Sequence, residues 1–376
     1  MTPAHPDPAD PPITAAGPRN GGIGTEPAAS PPSTATGTGT GTGTEPQVVA
    51  LDVGGTHVKT AVLAADGTVL HSDSTDTGAD RGPAAVLETV LDLARALVRD
   101  HGPAAVGIAV PGVVDEATGH CRFAANLGWR DVPVRAQAEA ALGLPVAVGH
   151  DVRAGGIAEA RLGAGRGARS LLFVPVGTGI AGALVLDGRA LTGANGGAGE
   201  VGHLAVRPDG PSCPCGGSGC VETIASASAV ARRYRLLAGL PPDQRVPAEQ
   251  VLQRAQSGDA LAAQVWDEAV AALADGLAAT VTLFDPERIV IGGGLSRAGA
   301  ALLDPLRKAL AARLAFQTLP ELTLARLGHR AGSLGAGLLA LDLLADHGLL
   351  PTARGALLAD QPGLTARATL PSGAAR

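Results

Sequence analysis

Aromatic side chains are scarce in this sequence. Four Phe, two Trp and one Tyr make up 2% of 376 residues, and there is a single Met. A core without them must be packed from Ala, Val, Leu and Ile. The 45% apolar content supplies these in the quantity that one to three domains need. An excess of basic charge is also missing: 29 Lys and Arg stand against 35 Asp and Glu, a net charge of −6. That balance excludes the basic footprint of a nucleic-acid binder. No apolar run reaches the roughly 18–20 residues of a membrane helix. The N-terminus lacks the cationic region and apolar stretch of a secretory signal. The expectation is a cytoplasmic protein that binds neither membrane nor nucleic acid.

Cysteine is sparse and unevenly placed. Three of the four fall within eight residues, at Cys213, Cys215 and Cys220, and Cys121 stands apart. In a reducing compartment such a cluster reads as metal binding rather than as disulfides, and Cys121 reads as a small buried residue. Residues 1–46 lack apolar periodicity and contain a Gly-Thr repeat from Gly37 to Thr44. Such a segment cannot bury enough surface to offset its ordering entropy and is expected to be a disordered tail. Residues 351–376 read as a second flexible tail.

Between the tails the chain is well punctuated. Gln47–Leu51, His57–Ala65 and Thr68–Ser72 are short apolar runs separated by Gly54-Gly55 and Asp66-Gly67, the pattern of an antiparallel meander. Pro83–Asp100 and Val134–Leu142 have helical periodicity, and Ala105–Val110 and Pro145–Val148 read as strands. The pattern restarts at Ser170–Val176, with Gly177-Thr178-Gly179, a strand at Ile180–Leu186 and an Asp187-Gly188 turn. Two halves with strand, Gly-Thr turn, strand, Asp-Gly turn, strand indicate a weak internal duplication. Helices follow at Glu222–Ala238, Ala248–Gln256 and Ala260–Leu283. A strand at Arg288–Ile291 precedes helices at Ser296–Leu314 and Ala331–Asp346. The order predicts an α/β protein with a mixed sheet in each half. The lobes are expected at 47–150 and 151–348, with the helix at 331–346 packing back on the first.

Five motifs carry chemistry. Asp52-Val53-Gly54-Gly55-Thr56-His57-Val58-Lys59 joins two strands. Gly54 and Gly55 let backbone amides approach a phosphate, Thr56 adds a hydroxyl, and Asp52 can hold Mg²⁺ through water. An ordinary Gly-Gly hairpin would look the same. Gly177-Thr178-Gly179 offers a second set of amides in an equivalent turn. Gly292-Gly293-Gly294 lies between a strand and a helix expected at Ser296, where a nucleotide or a plain structural turn would each fit.

Glu200-Val201-Gly202-His203, followed by the three cysteines and Glu222, supplies His203, Cys213, Cys215 and Cys220 as a closed, tetrahedral, structural zinc site. A redox-active cluster or buried free thiols are the alternatives. Glu200 and Glu222 flank this loop and could accept hydrogen bonds from vicinal hydroxyls, or could be ordinary surface carboxylates. Asp151, after the strand ending at Val148-Gly149-His150, could cap the following helix or serve as a general base. Phosphoryl transfer requires little beyond such a carboxylate, Mg²⁺ and phosphate-binding amides.

Together these motifs resemble the ROK family (repressor, open reading frame, kinase) of the actin-like ATPase and hexokinase superfamily, over roughly Gln47 to Asp346. The markers are Asp-x-Gly-Gly-Thr-x-x-Lys at Asp52–Lys59, Pro111-Gly112, Ala125-Asn126-Leu127, the Gly177-Thr178-Gly179 turn, Glu-x-Gly-His at Glu200–His203 and Cys-x-Cys-Gly-x-x-Gly-Cys-x-Glu at Cys213–Glu222. The resemblance implies a two-lobed, ribonuclease H-like kinase with an interlobe cleft, usually a homodimer or homotetramer, using ATP, Mg²⁺ and structural Zn²⁺. It implies that Asp151 is the base and that Asn126, Asp151, Glu200, His203 and Glu222 hold sugar hydroxyls. Lys59 is a signature position whose role it leaves open. The implied reaction is phosphorylation of a hexose, glucose first, with N-acetylmannosamine, N-acetylglucosamine or fructose as alternatives. The family also contains sugar-responsive repressors, but their helix-turn-helix domain has no counterpart ahead of Asp52 here. A non-catalytic sugar-binding relative is the third reading. It is motivated by one departure: the usual Asn-Asp-Ala-Asn is here His150-Asp151-Val152-Arg153.

Overall fold

The computed structural model describes residues 46–350. Both expected tails, 1–46 but for its last residue and 351–376, lie outside that range. The first half opens with the expected meander: β1 (Val48–Val53), β2 (His57–Leu63) and β3 (Val69–Asp76) are antiparallel neighbours. After α1 (Pro83–His101), β4 (Ala105–Val110) returns parallel to β1. Three short strands that sequence reasoning missed, β5 (Val113–Asp115), β6 (His120–Ala124) and β7 (Trp129–Val132), form a separate small sheet. Then α2 (Val134–Leu142) leads to β8 (Val146–His150), parallel to β4. The large sheet has the order β3-β2-β1-β4-β8.

From α3 (Asp151–Leu162) the chain builds a second sheet. Here β9 (Ser170–Pro175), β10 (Ala183–Leu186) and β11 (Arg189–Ala190) are antiparallel. Helices α4 (Val221–Ala225), α5 (Ala227–Leu237), α6 (Ala248–Gln256) and α7 (Ala260–Phe284) precede β12 (Arg288–Gly292), which pairs parallel with β9. After α8 (Ala300–Ala311), β13 (Glu321–Leu324) pairs parallel with β12, and α9 (Ala331–Asp346) closes the described chain. The order β11-β10-β9-β12-β13 repeats that of the first sheet, strand for strand. The duplication read from the two Gly-Thr turns is real.

Each β1 residue chooses a face by the two-residue period of a strand. Val49, Leu51 and Val53 pack with Val86 and Val90 of α1, whereas Val48 and Ala50 pack with Leu338 and Leu341 of α9. In the second sheet Leu172 and Val174 meet the α5–α8 layer, and Phe173 meets the α3 side. Helices α3 and α9 lie against each other, α9 on the first sheet and α3 on the second. Their closeness depends on glycine. A Cβ at Gly107 of β4 would fall 1.8 Å from the Ala336 carbonyl oxygen, and one at Gly335 would fall 2.0 Å from that of Ala154. The two tryptophans are buried with their indole N–H groups used, Trp129 donating to Pro83 O (3.0 Å) and Trp266 to Ala301 O (3.3 Å). Cys121 is also fully buried, and burial pushes its thiol up to about 11.

Two expected helices have different limits. The stretch Glu222–Ala238 is two helices, because Ser226 breaks it and caps α5 by accepting from Ala229 N–H at 3.1 Å. Ser296 lies inside a 3-10 turn, Gly294–Ala298, and α8 begins only after Gly299, whose φ of 59° ends that turn. No α-helix N-terminus therefore adjoins Gly292–Gly294.

Candidate active site

Four of the candidate site positions sit at the carboxyl ends of parallel strands, where α/β sheets place ligands. Asp52 is near the end of β1, Asp151 follows β8, the Gly177 turn follows β9, and Gly292 ends β12.

In the first sheet Lys59 stands directly opposite Asp52 across the β1–β2 pair, its ammonium 3.5 Å from Oδ2. The Asp52 carboxylate lies against the first turn of α9, where a Cβ at Gly332 would fall 2.3 Å from Oδ2. Burial pushes Asp52 up to about 6; Lys59 opposes that rise and the charge of Asp151 adds to it. Asp151 is likewise raised by burial, against the pull of Val152 N–H, Arg153 and Lys59. Two partly buried carboxylates beside one lysine, the Asp52 side chain 13% and the Asp151 side chain 31% exposed, make a place where a divalent cation is favoured. Asn126, in the turn Ala125–Leu127, packs against the first hairpin, with its Cβ 3.3 Å from where a Gly55 Cβ would stand. That hairpin is braced by Thr77, whose hydroxyl donates to Gly54 O at 2.8 Å.

The helix cap is not Asp151. His150 holds that position: its Nδ1 accepts from Arg153 N–H at 3.4 Å. Asp151 is the first residue of α3, and its Oδ1 takes Val152 N–H at 2.7 Å and lies 3.3 Å from His150 Nε2. Arg153 is buried and donates through Nε to Glu116 Oε1 (2.6 Å) and through Nη1 to Gly196 O (2.9 Å). The same Glu116 oxygen takes His150 N–H at 3.1 Å. Glu116 was not legible from sequence, since it follows a strand too short to recognise.

In the second sheet the Gly177–Gly179 turn and the Gly292–Gly294 stretch lie side by side. Val176 N–H donates to Gly292 O (2.9 Å) and Leu295 N–H to Val176 O (3.0 Å), and Gly293 turns there with φ 75°. Glu222 reaches this turn, its Oε2 accepting from Ile180 N–H at 2.7 Å. The loop between Glu200 and Glu222 is thus tied to the phosphate-type hairpin by a carboxylate.

His203, Cys213, Cys215 and Cys220 converge, with ligand atoms all within 4.8 Å of one another. His203 Nδ1 is 3.6 Å from Cys213 Sγ, and Cys215 Sγ is 3.7 Å from Cys220 Sγ. A tetrahedral zinc with arms of about 2.3 Å places its sulfurs about 3.8 Å apart, so the cluster fits that ion with no open position. The ring of His203 is shared: Nδ1 faces the sulfurs, and Nε2 is 4.0 Å from Glu200 Oε2. A metal on Nδ1 would fix Nε2 as the proton-bearing nitrogen, a donor toward Glu200 and whatever Glu200 holds. Among the described residues no helix is long and apolar enough to cross a membrane.

Fold and site together define an actin-like, two-sheet phosphotransferase architecture carrying a His-Cys₃ loop. The ROK family model matches residues 48–343, and the chain belongs to the ROK family. A glucokinase from Halalkalibacterium halodurans is 34% identical over 309 residues, covering 77% of this chain and 93% of the relative. The crystal structure of a ROK hexokinase from Thermus thermophilus, 36% identical, superposes with a TM-score of 0.72 over 80% of this chain and 99% of that one. A ROK glucokinase from Streptomyces griseus, solved with glucose and AMPPNP, is 30% identical with a TM-score of 0.67, covering 78% and 99%.

Proposed function

We propose that this chain transfers the γ-phosphoryl group of ATP to a hexose hydroxyl, with glucose as the preferred acceptor and glucose 6-phosphate as product. The observation that carries the reading is the Asp151 carboxylate. One of its oxygens accepts Val152 N–H, and the partly buried group near Lys59 is held above its ordinary value by desolvation. A base poised nearer neutrality can take a hydroxyl proton and still be ionised at working pH.

In this reading Asn126, Asp151, Glu200, His203 and Glu222 hold the sugar. The turns Gly54–Thr56, Gly177–Gly179 and Gly292–Gly294 hold the nucleotide, the amides of Gly54 and Gly177 being spent on His57 O and Gly179 O to shape their own turns. Mg²⁺ held through water near Asp52 would neutralise charge on the phosphates, and Lys59 keeps Asp52 ionised to receive it. Glu222 bridges both halves of the task, since its Oε2 is on the Ile180 amide and leaves Oε1 for a sugar hydroxyl. Assembly as a homodimer or homotetramer belongs to the same proposal and is read by light scattering.

The test is purified full-length protein with Mg-ATP and a panel of hexoses and amino sugars, measuring ADP release. Release with glucose at the highest kcat/KM supports the reading. Preference for N-acetylmannosamine, N-acetylglucosamine or fructose keeps the reaction and replaces the acceptor. No release with any sugar, together with sugar-dependent binding to operator DNA, would place the chain with the family's regulators.

A further inference from the structure

The two departures from the family pattern, His150 and Arg153, touch each other, and His150 touches the base. His150 is buried at the end of β8. Its Nδ1 accepts the Arg153 backbone N–H, so in a neutral ring the proton sits on Nε2, the nitrogen 3.3 Å from Asp151 Oδ1. Burial and the neighbouring Arg153 guanidinium hold the ring down at about 4, opposed by Glu200 and Glu116. Because Nδ1 accepts an N–H, it carries no proton of its own, and the ring faces Asp151 with Nε2. Oδ1 of Asp151 accepts Val152 N–H and has His150 Nε2 3.3 Å away, while Oδ2 has no hydrogen-bond partner among the described residues.

The platform beneath the ring is equally determined. Glu116 Oε1 receives both the His150 backbone N–H and Arg153 Nε, and the other arm of Arg153 reaches Gly196 O in the loop leading to Glu200. A fork with five donors in one plane can join three chain segments in this way, and an Asn in its place could not span them.

We infer that His150 is a positioning residue for Asp151: its ring, locked as the Nε2–H tautomer and seated on the Arg153–Glu116 pair, pins Oδ1 and leaves Oδ2 as the oxygen that meets the sugar hydroxyl. The inference rests on reading Asp151 as the base of a sugar kinase. In the step it describes, the hydroxyl proton passes to Oδ2. The sugar oxygen bonds to the γ-phosphorus, and the β–γ bridging oxygen leaves with ADP.

Two measurements on the full chain test it. The first is long-range ¹H–¹⁵N NMR of protein labelled at histidine. Nine histidines are present, so the His150 signal is assigned by its loss in His150→Asn. The expected pattern at neutral pH is a bare Nδ1 and a protonated Nε2. A protonated Nδ1, alone or with Nε2, overturns the inference whether or not the protein is an active kinase.

The second is kinetics. Removing the pin leaves the base on a free rotor, so His150→Ala lowers kcat by about 10- to 100-fold with little change in sugar KM. His150→Asn can cap with its carbonyl and donate with its amide, and restores most of kcat. If folded His150→Ala has wild-type kcat while Asp151→Asn is impaired, the kinase reading stands and the positioning role falls. If the wild type phosphorylates no sugar, the kinase reading falls and the NMR pattern alone decides how the ring is held.

Discussion

Asp52 and Asp151 are the residues where burial and function conflict. Both carboxylates are raised by desolvation, and the charge of Asp151 adds to the rise at Asp52. Activity is accordingly expected to fall on an acidic limb near pH 6 in the kcat/KM profile, because protonated Asp52 cannot help hold a cation. Stability should run the opposite way. An unfolded Asp ionises near its ordinary value and the buried Asp52 only at about 6, so the folded state binds the extra proton between them. Ligand-free protein therefore loses stability as pH rises from about 4 to about 6, by up to about 3 kcal/mol. Thermal unfolding across that range checks this, and Asp52→Asn should flatten the dependence. Asp151→Asn should lower kcat by about 10²–10⁴ while sugar KM changes little. Because His150 and not Asp151 caps α3, the same variant should be at least as stable as the wild type.

At the scale of elements the metal loop and the glycine contacts make separate demands. The loop has little apolar content to hold it, and its ends are fastened by His203 on one side and by Glu222 on the Ile180 amide on the other. One zinc per chain is expected by elemental analysis. Cys220→Ser should lose it and raise sugar KM, with a smaller change in the KM for ATP. Gly335→Ala, at the α3–α9 crossing, should destabilise by about 1–3 kcal/mol through overpacking, measured by denaturant unfolding.

The long elements were legible because their periods are clean: α2, α9 and β4 have the limits that periodicity sets. The β5–β7 sheet was not, since each strand contributes only one or two buried residues, such as Cys121 and Trp129, between exposed polar ones. Four residues of Glu-Leu-Thr-Leu at β13 likewise give too little alternation to recognise. The site motifs were visible as residue types at fixed spacings. Their partners were not, because Glu116, Thr77 and Gly332 are brought in by tertiary folding from segments without a motif.

The whole molecule repeats one plan twice, and the last helix crosses between the copies. Helix α9, from the end of the described chain, covers the face of the first sheet formed by Val48, Ala50, Ala61 and Leu63. During synthesis that sheet emerges early and its covering helix last. At roughly 5–20 residues per second the interval from the end of β8 to the end of α9 is on the order of 10–40 seconds. For that time the nascent first lobe holds an apolar wall facing water, the surface that holdase chaperones bind. A ribosome stalled anywhere before Ala331 would release a chain that cannot bury it.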